Sequence, residues 1–134
     1  MGARRPPKLL LDECCGGSLA AALRSEGVTV VEAGRDPALP PGTADQDVLR
    51  WAGANGFAFL TRDRHLRTRP AELAAIKAHA VAVFYVPPSP RSRDELCAAV
   101  TAALPGISRC LEKEARPFVR RILPNGALKD EGFG

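Results

Sequence analysis

The sequence lacks any long apolar run. None of its 134 residues belongs to a stretch that could cross a bilayer as a helix. The apolar segment behind the basic N-terminus, residues 9–11, is too short for a signal peptide. Pro6 also breaks the acylation pattern that would begin at Gly2. The sequence therefore predicts a cytoplasmic protein with no membrane partner.

Cysteine is scarce, and its spacing excludes several kinds of site. The four cysteines stand at positions 14, 15, 97 and 110, so no C-x-x-C pair exists. This spacing argues against a zinc knuckle and against a thioredoxin-type redox motif. Cys14 and Cys15 precede a predicted helix, whose N-terminus could activate a thiol. We favour the other interpretation, small and partly buried side chains in a reducing compartment.

Internal repeats and low-complexity segments are also absent. A hydrophobic content of 46% is that of a soluble globular protein, and the length fits a single domain over residues 1–134. The formal net charge is only +4, from 19 basic and 15 acidic residues. This charge is a weak indication of a polyanionic partner.

Short apolar runs alternate with helical patterns through residue 110. Runs at 8–12, 28–31, 57–61 and 81–86 have the continuous apolar character of strands that are buried on both faces. The sequence therefore predicts an α/β fold, with a mostly parallel central sheet flanked by helices over residues 8–110. A β-hairpin is expected at about 117–129, with Asn125-Gly126 at its turn.

Two helix starts and one interruption are predicted from local signals. Thr43 with Gln46, and Ser92 with Glu95, match the capping-box spacing. Pro105, followed by glycine, is expected to break or kink the last helix.

Carboxylates follow two of the predicted strands. Asp12 comes directly after three leucines, and Asp63 ends the stretch that begins with the run at 57–61. Carboxyl ends of parallel strands share one edge of the sheet, where ligand sites occur. Asp45 lies in the first turn of a helix, and Glu13 and Asp47 are further candidates. Helix capping, the helix dipole and turn formation are the alternative roles.

If these carboxylates cluster, a hard cation, Mg²⁺ or Mn²⁺, is the expected ligand. Such an ion polarises a phosphoryl oxygen and generates hydroxide from water. A basic loop follows the third strand, and its arginines could contact RNA phosphates. His65 is a further candidate for this contact, and a solvated loop is the alternative. The arginines of the loop are Arg62, Arg64, Arg67 and Arg69.

Three motifs in this order resemble the PIN-domain ribonucleases. They are Leu9-Leu-Leu-Asp12-Glu13, Asp45-Gln-Asp-Val-Leu49 and Leu60-Thr-Arg-Asp63. The nearest branch is the short PIN-like proteins that act as VapC-type toxins. The resemblance implies an endoribonuclease dependent on Mg²⁺ or Mn²⁺ and inhibited by an antitoxin protein encoded beside it. By position it assigns metal binding and catalysis to Asp12, Asp45 and Asp63.

The chain departs from this pattern at His65, where many relatives carry a further acid. The departure keeps a second hypothesis open, a catalytically inactive PIN-like module that binds RNA or a protein. A phospho-acceptor receiver is a third, but no lysine follows the fourth or precedes the fifth strand to contact a phosphoryl group. The C-terminal hairpin has an edge that could pair with a second chain, so a homodimer is one predicted assembly.

Overall fold

The computed structural model describes residues 7–87 and 92–132. The N-terminal segment 1–6, to which the acylation argument applied, lies outside these ranges. Ten helices and strands build the described part, in the order β1 Lys8–Leu11, α1 Gly17–Ser25, β2 Thr29–Glu32, α2 Asp45–Asn55, β3 Ala58–Thr61, α3 Pro70–Ala78, β4 Ala82–Tyr85, α4 Arg93–Lys113, β5 Phe118–Ile122 and β6 Leu128–Asp130. Short 3-10 turns at Glu13–Cys15 and Leu66–Thr68 follow β1 and β3.

The six strands form one sheet in the order β2-β1-β3-β4-β5-β6. The first five strands are parallel, and β6 runs antiparallel to β5. The predicted α/β fold with a mostly parallel sheet is therefore confirmed, as is the C-terminal hairpin. β1 lies between β2 and β3, so the chain reverses its direction along the sheet at β1, and crevices for ligands form beyond such points.

The continuous apolar character of the strands results from burial on both faces of the sheet. Leu9 and Leu11 belong to the hydrophobic cluster that includes residues of α1 and α4. Leu10, between them, belongs to the cluster that includes residues of α2 and α3. All three are at most 1% exposed, and each contributes about 1.5–3 kcal/mol by leaving water. The chain therefore leaves β1 at a fixed point, with Asp12 as the first residue beyond the core.

One of the two predicted capping boxes is present. Ser92 and Glu95 exchange both hydrogen bonds at the start of α4. The prediction for Thr43 was wrong, because its hydroxyl donates to the carbonyl of Pro40 at 2.6 Å and closes the preceding loop. Ala44 takes the N-cap position instead, without a side-chain cap, and Asp45 becomes the first residue of α2.

The last helix continues through Pro105 instead of breaking there, as α4 extends over 21 residues. Ala103 and Ile107, on either side of the proline, are buried against the sheet. This packing outweighs the one backbone hydrogen bond that proline removes. None of the helices in the described ranges combines the length and the apolar character needed to span a membrane.

Candidate active site

Asp12 is held rigidly at the end of β1. Its Oδ1 accepts a hydrogen bond from the backbone N–H of Glu13 at 2.8 Å, which caps the following 3-10 turn. Its Oδ2 accepts from the Thr61 hydroxyl at 2.8 Å, and the Cys14 thiol lies 3.6 Å from the same oxygen. Both carboxylate oxygens therefore have a fixed direction. Asp12 therefore caps the 3-10 turn and also lies at the rim of the sheet.

Thr61 connects Asp12 to the loop that carries Asp63. This last residue of β3 is fully buried, and its hydroxyl donates to Asp12. The same hydroxyl accepts the backbone N–H of Asp63 at 3.0 Å. A buried hydroxyl must find such partners, because an unsatisfied one costs about 1–3 kcal/mol. The ends of β1 and β3 are thus held together through one side chain.

Asp63 has a different partner on each carboxylate oxygen. Its Oδ1 accepts the backbone N–H of His65 at 2.9 Å, which makes a turn of the loop. Its Oδ2 accepts Nη1 of Arg69 at 2.8 Å, a short charge-assisted hydrogen bond. Asp63 therefore does form a turn, which was one of the roles that the sequence allowed. This turn directs Oδ2 toward α3.

Asp45 approaches from the start of α2. Partial burial raises the pKa of its carboxyl group, and the negative charges of Asp12 and Glu72 raise it further. The Arg69 guanidinium lowers that pKa, whereas the negative charge of Asp63 adds to the rise. The three aspartates thus lie within electrostatic range of one another, and we call them the acidic site.

Arg69 lies between two members of the acidic site. Its Nη1 is 2.8 Å from Asp63 Oδ2 and 3.7 Å from Asp45 Oδ2. Within residues 7–87 and 92–132, no three His, Cys, Asp or Glu side chains are close enough to hold a metal ion. An all-carboxylate donor set nevertheless suits Mg²⁺ or Mn²⁺ by its chemistry. By donor type the residues suit such an ion, although in this arrangement a guanidinium lies beside two of the three donors.

Glu13 and Asp47, the further candidates, make other contacts. Glu13 occupies space beside Gly34, where a Cβ would come within 2.7 Å of its side chain. Gly34 has a φ of +89°, so the glycine permits both the turn and the approach of Glu13. Asp47 forms an exposed ion pair with Arg50 at 3.1 Å. These contacts turn Glu13 toward the end of β2 and tie Asp47 to its own helix.

A family model described as a PIN-like domain matches residues 7–87, more than half of the chain. The chain belongs to the PIN-like domain family. Searches of curated proteins and of solved structures found no match. The matched segment begins just before β1 and ends just after β4, so it includes all three aspartates of the acidic site and the loop that carries Arg69.

The arginines of this PIN-like domain are not equivalent. Arg62 donates to the Pro87 carbonyl at 3.5 Å, and Arg64 donates through Nε to Nε2 of His65 at 3.3 Å. Arg69 contacts the carboxylates described above. Arg67 lies in the 3-10 turn, and its side chain is outside what the structure describes.

In the PIN-like domain, a groove of about 530 Å³ lies beside Cys14, whose thiol lies 3.6 Å from Asp12 Oδ2. It is lined by the start of α1, by Cys14 and Cys15, and by the side chains of Arg62 and Arg93. Arg93 is the first residue of α4, and sequence reasoning did not single it out. The feature of the sequence that could have identified Arg93 is its position directly after the cap residue Ser92, at the same edge of the sheet as Asp12.

Thr61 and Glu72 were also missed as contributors to the site. Thr61 was visible as the polar residue at the end of an apolar strand, two positions before Asp63. Glu72 lies in the first turn of α3, where an acidic residue usually serves the helix dipole. Its negative charge raises the pKa of Asp45, which lies on another helix, so Glu72 is within electrostatic range of the acidic site.

The two adjacent cysteines have opposite environments. Cys14 is exposed, and hydrogen bonding to the Cys15 thiol lowers the pKa of Cys14, although burial and the charge of Asp12 oppose this effect. Cys15 is buried, and its bond to Cys14, together with burial, raises its pKa well above the ordinary value. All four cysteines are free thiols. The prediction of a small, buried cysteine side chain is correct for Cys15, whereas Cys14 is exposed and faces the groove.

Proposed function

We propose that this PIN-like domain is an endoribonuclease that depends on Mg²⁺ or Mn²⁺ and serves as the toxin of a toxin–antitoxin pair. The observation that carries the nuclease proposal is the convergence of Asp12, Asp45 and Asp63 from three separate elements on one rim of the sheet. Family membership supports the same reaction class. The toxin role rests on the resemblance to VapC-type proteins.

In this proposal Asp12, Asp45 and Asp63 would hold the cation. When bound, it would polarise the scissile phosphate and lower the pKa of a water molecule. Thr61 keeps the Asp12 carboxylate directed at the rim through its 2.8 Å hydrogen bond. Arg62 and Arg93, beside the groove, neutralise the phosphates that flank the cleaved bond. Positioning and charge neutralisation are thereby the contributions of the chain itself.

The test compares Asp12→Asn and Asp63→Asn with the unaltered protein in an RNA cleavage assay containing Mn²⁺. Each variant should lose at least about a hundredfold of the activity, because a neutral amide neither binds the ion strongly nor balances its charge. Asp130→Asn is the matched control. Asp130 lies in the hairpin, where it pairs with Arg120 at 3.2 Å, and its side chain is 73% exposed.

Cleavage that persists in both variants would refute the assignment of the acidic site, provided that circular dichroism shows native folding. The toxin role has a separate test. Induced expression in a bacterial host should arrest growth, and the arrest should disappear with Asp12→Asn. Growth arrest should also be relieved by a small antitoxin-like reading frame beside the gene, and failure of that relief would contradict the toxin–antitoxin pairing.

A second candidate function is an inactive PIN-like module that binds RNA or a protein. The observation that favours it is Arg69, which occupies the position of a cation between Asp45 and Asp63. Isothermal titration with Mn²⁺ separates the two functions. Absence of metal binding, together with retained RNA binding, would favour the inactive module.

A further inference from the structure

The guanidinium of Arg69 already neutralises part of the acidic site. A single nitrogen, Nη1, lies within 3.7 Å of one carboxylate oxygen of Asp45 and within 2.8 Å of one of Asp63. An arginine side chain stays protonated at any ordinary pH, and the hydrogen bond to Asp63 raises the pKa of Arg69 further. Arg69, a residue of the chain itself, supplies the positive charge that clustered carboxylates require.

The carboxylate oxygens lie farther from the bridging nitrogen of Arg69 than they would lie from a metal ion. Mg²⁺ takes oxygen ligands at about 2.0–2.1 Å, whereas the two oxygens lie 2.8 and 3.7 Å from the bridging nitrogen. Within the described ranges, no three acidic side chains lie within reach of one ion. Because Oδ1 of Asp63 accepts the backbone N–H of His65, a metal ion would compete with Arg69 for Oδ2. Two positive charges at such separations repel each other.

From this geometry we infer that Arg69 is a tethered cation that a divalent ion must displace to enter the acidic site. The inference rests on the proposed function, because it assumes that Asp45 and Asp63 bind the metal. It changes the assignment of Arg69 in the metal-free protein, from a residue that contacts RNA to one that closes the metal site.

The surroundings of Arg69 allow this displacement. Its side chain is 43% exposed, so the guanidinium can turn toward solvent without disturbing the core. Its backbone N–H bonds to the carbonyl of His65 at 3.1 Å, which fixes the main chain before α3. Asp63 keeps its own anchor, because Oδ1 accepts the backbone N–H of His65. The main chain can stay in place while the Arg69 side chain moves away and the carboxylate side chains close around the ion. After displacement Arg69 can contact a phosphate of the substrate.

The test measures Mn²⁺ affinity by isothermal titration, which requires no catalytic activity. Arg69→Gln removes the competing charge and should bind Mn²⁺ about tenfold more tightly than the unaltered protein, equivalent to about 1.4 kcal/mol. Arg69→Lys keeps a positive charge at the same place, so its affinity should stay within about threefold of the unaltered protein.

A matched control separates local competition from net charge. Arg109→Gln also removes one positive charge, but it lies sixteen residues along α4 from Arg93, about 24 Å at the rise of a helix. Its Mn²⁺ affinity should be unchanged. Equal affinity in Arg69→Gln and the unaltered protein, or an equal gain in Arg109→Gln, would overturn the inference and leave the proposed function standing. Absence of Mn²⁺ binding in every variant would overturn both.

A measurement on the unaltered protein covers the case in which Arg69→Gln does not fold. The side-chain N–H signals of Arg69 can be followed by NMR during titration with Mg²⁺, which is diamagnetic. Displacement should move the Arg69 signal in step with those of the aspartate carboxyls, while Arg109 stays constant. An Arg69 signal that remains in place as the carboxyl signals shift would overturn the inference.

Discussion

At the scale of single residues, one buried hydroxyl determines much of the geometry of the acidic site. Thr61 donates to Asp12 and accepts from the backbone of Asp63, so two strands that are distant in sequence share one polar contact. Valine has nearly the same shape but could satisfy neither partner. The selection of threonine at a fully buried position is therefore explained by the two aspartates it connects.

In the metal-free protein, the fold disfavours ionisation of the Asp45 carboxyl group. Burial, followed by the charge of Asp12, raises its pKa above the ordinary 3.8. When a carboxyl group has a raised pKa in the folded state, the stability of the protein falls as the pH rises from 3.8 through the folded pKa. Asp45→Asn should therefore increase the Tm of the metal-free protein at pH 7, by on the order of 1 °C, since water screens a side chain this exposed. At pH 3 the two proteins should melt together.

Asp47→Asn is the matched control for this prediction, because Asp47 lies in the same first turn of α2 but pairs with Arg50 in solvent. Its Tm should not increase at pH 7. Calorimetry in the presence of a chelator makes the comparison. A lower Tm for Asp45→Asn than for the unaltered protein at pH 7 would show that the contact with Arg69 outweighs the repulsion from the other acids.

Residue chemistry could be predicted in part from the sequence. Asp12 and Asp63 stand out because one directly follows an apolar strand and the other comes two residues after one, and strand ends are fixed by burial. The partnership of Arg69 with Asp45 was not predictable, since it depends on how α3 lies beside α2. A loop arginine next to acids has the same local signature whether it faces solvent or a carboxylate.

At the scale of helices and strands, periodicity identified the parallel sheet, because the central strands β1, β3 and β4 are buried on both faces and carry no polar alternation. Ends of helices were harder to predict. Thr43 has the side chain of an N-cap residue, but a competing hydrogen bond to Pro40 takes it into the loop. Such competition between local partners is decided by loop geometry, which composition does not record.

The contact between α2 and α3 positions Asp45 relative to Arg69, and Gly53 makes that contact close. A Cβ at Gly53 would clash with the backbone carbonyl of His79 and lie 2.9 Å from its Cβ. Gly53→Ala should therefore lower the free energy of unfolding by about 1–2 kcal/mol, after the gain of up to about 1 kcal/mol in helix propensity. Denaturation with urea measures this change.

Gly106→Ala, in α4, is the matched control for Gly53→Ala. Its Cβ would meet only the flexible end of Leu128, at 3.3 Å, so the helix propensity gain should leave the stability unchanged or up to about 1 kcal/mol higher. Equal stability of Gly53→Ala and the unaltered protein would mean that α2 and α3 separate without cost. The position of Asp45 could then not depend on this contact.

At the scale of the whole molecule, the charge distribution matters more than the net charge of +4. The acidic site lies at the carboxyl ends of the central strands β1 and β3, where the chain reverses its direction along the sheet. Arg62 and Arg93 line the adjacent groove. A surface with a negative centre and a positive border favours a divalent ion and a polyanion at the same place, whereas a uniform basic surface favours only the polyanion.

Binding of a divalent ion should stabilise the entire fold, because the site joins residues from separate elements that are together only in the native state. At a free Mn²⁺ concentration of 100 times Kd, the stabilisation is about 2.7 kcal/mol, which corresponds to a Tm increase on the order of 10 °C for a domain of this size. Differential scanning fluorimetry with Mn²⁺, Mg²⁺ and a chelator measures the shift. Asp12→Asn should lose it, whereas Asp130→Asn should keep it. An unchanged Tm in millimolar Mn²⁺ would leave the binding module as the better description of this PIN-like domain.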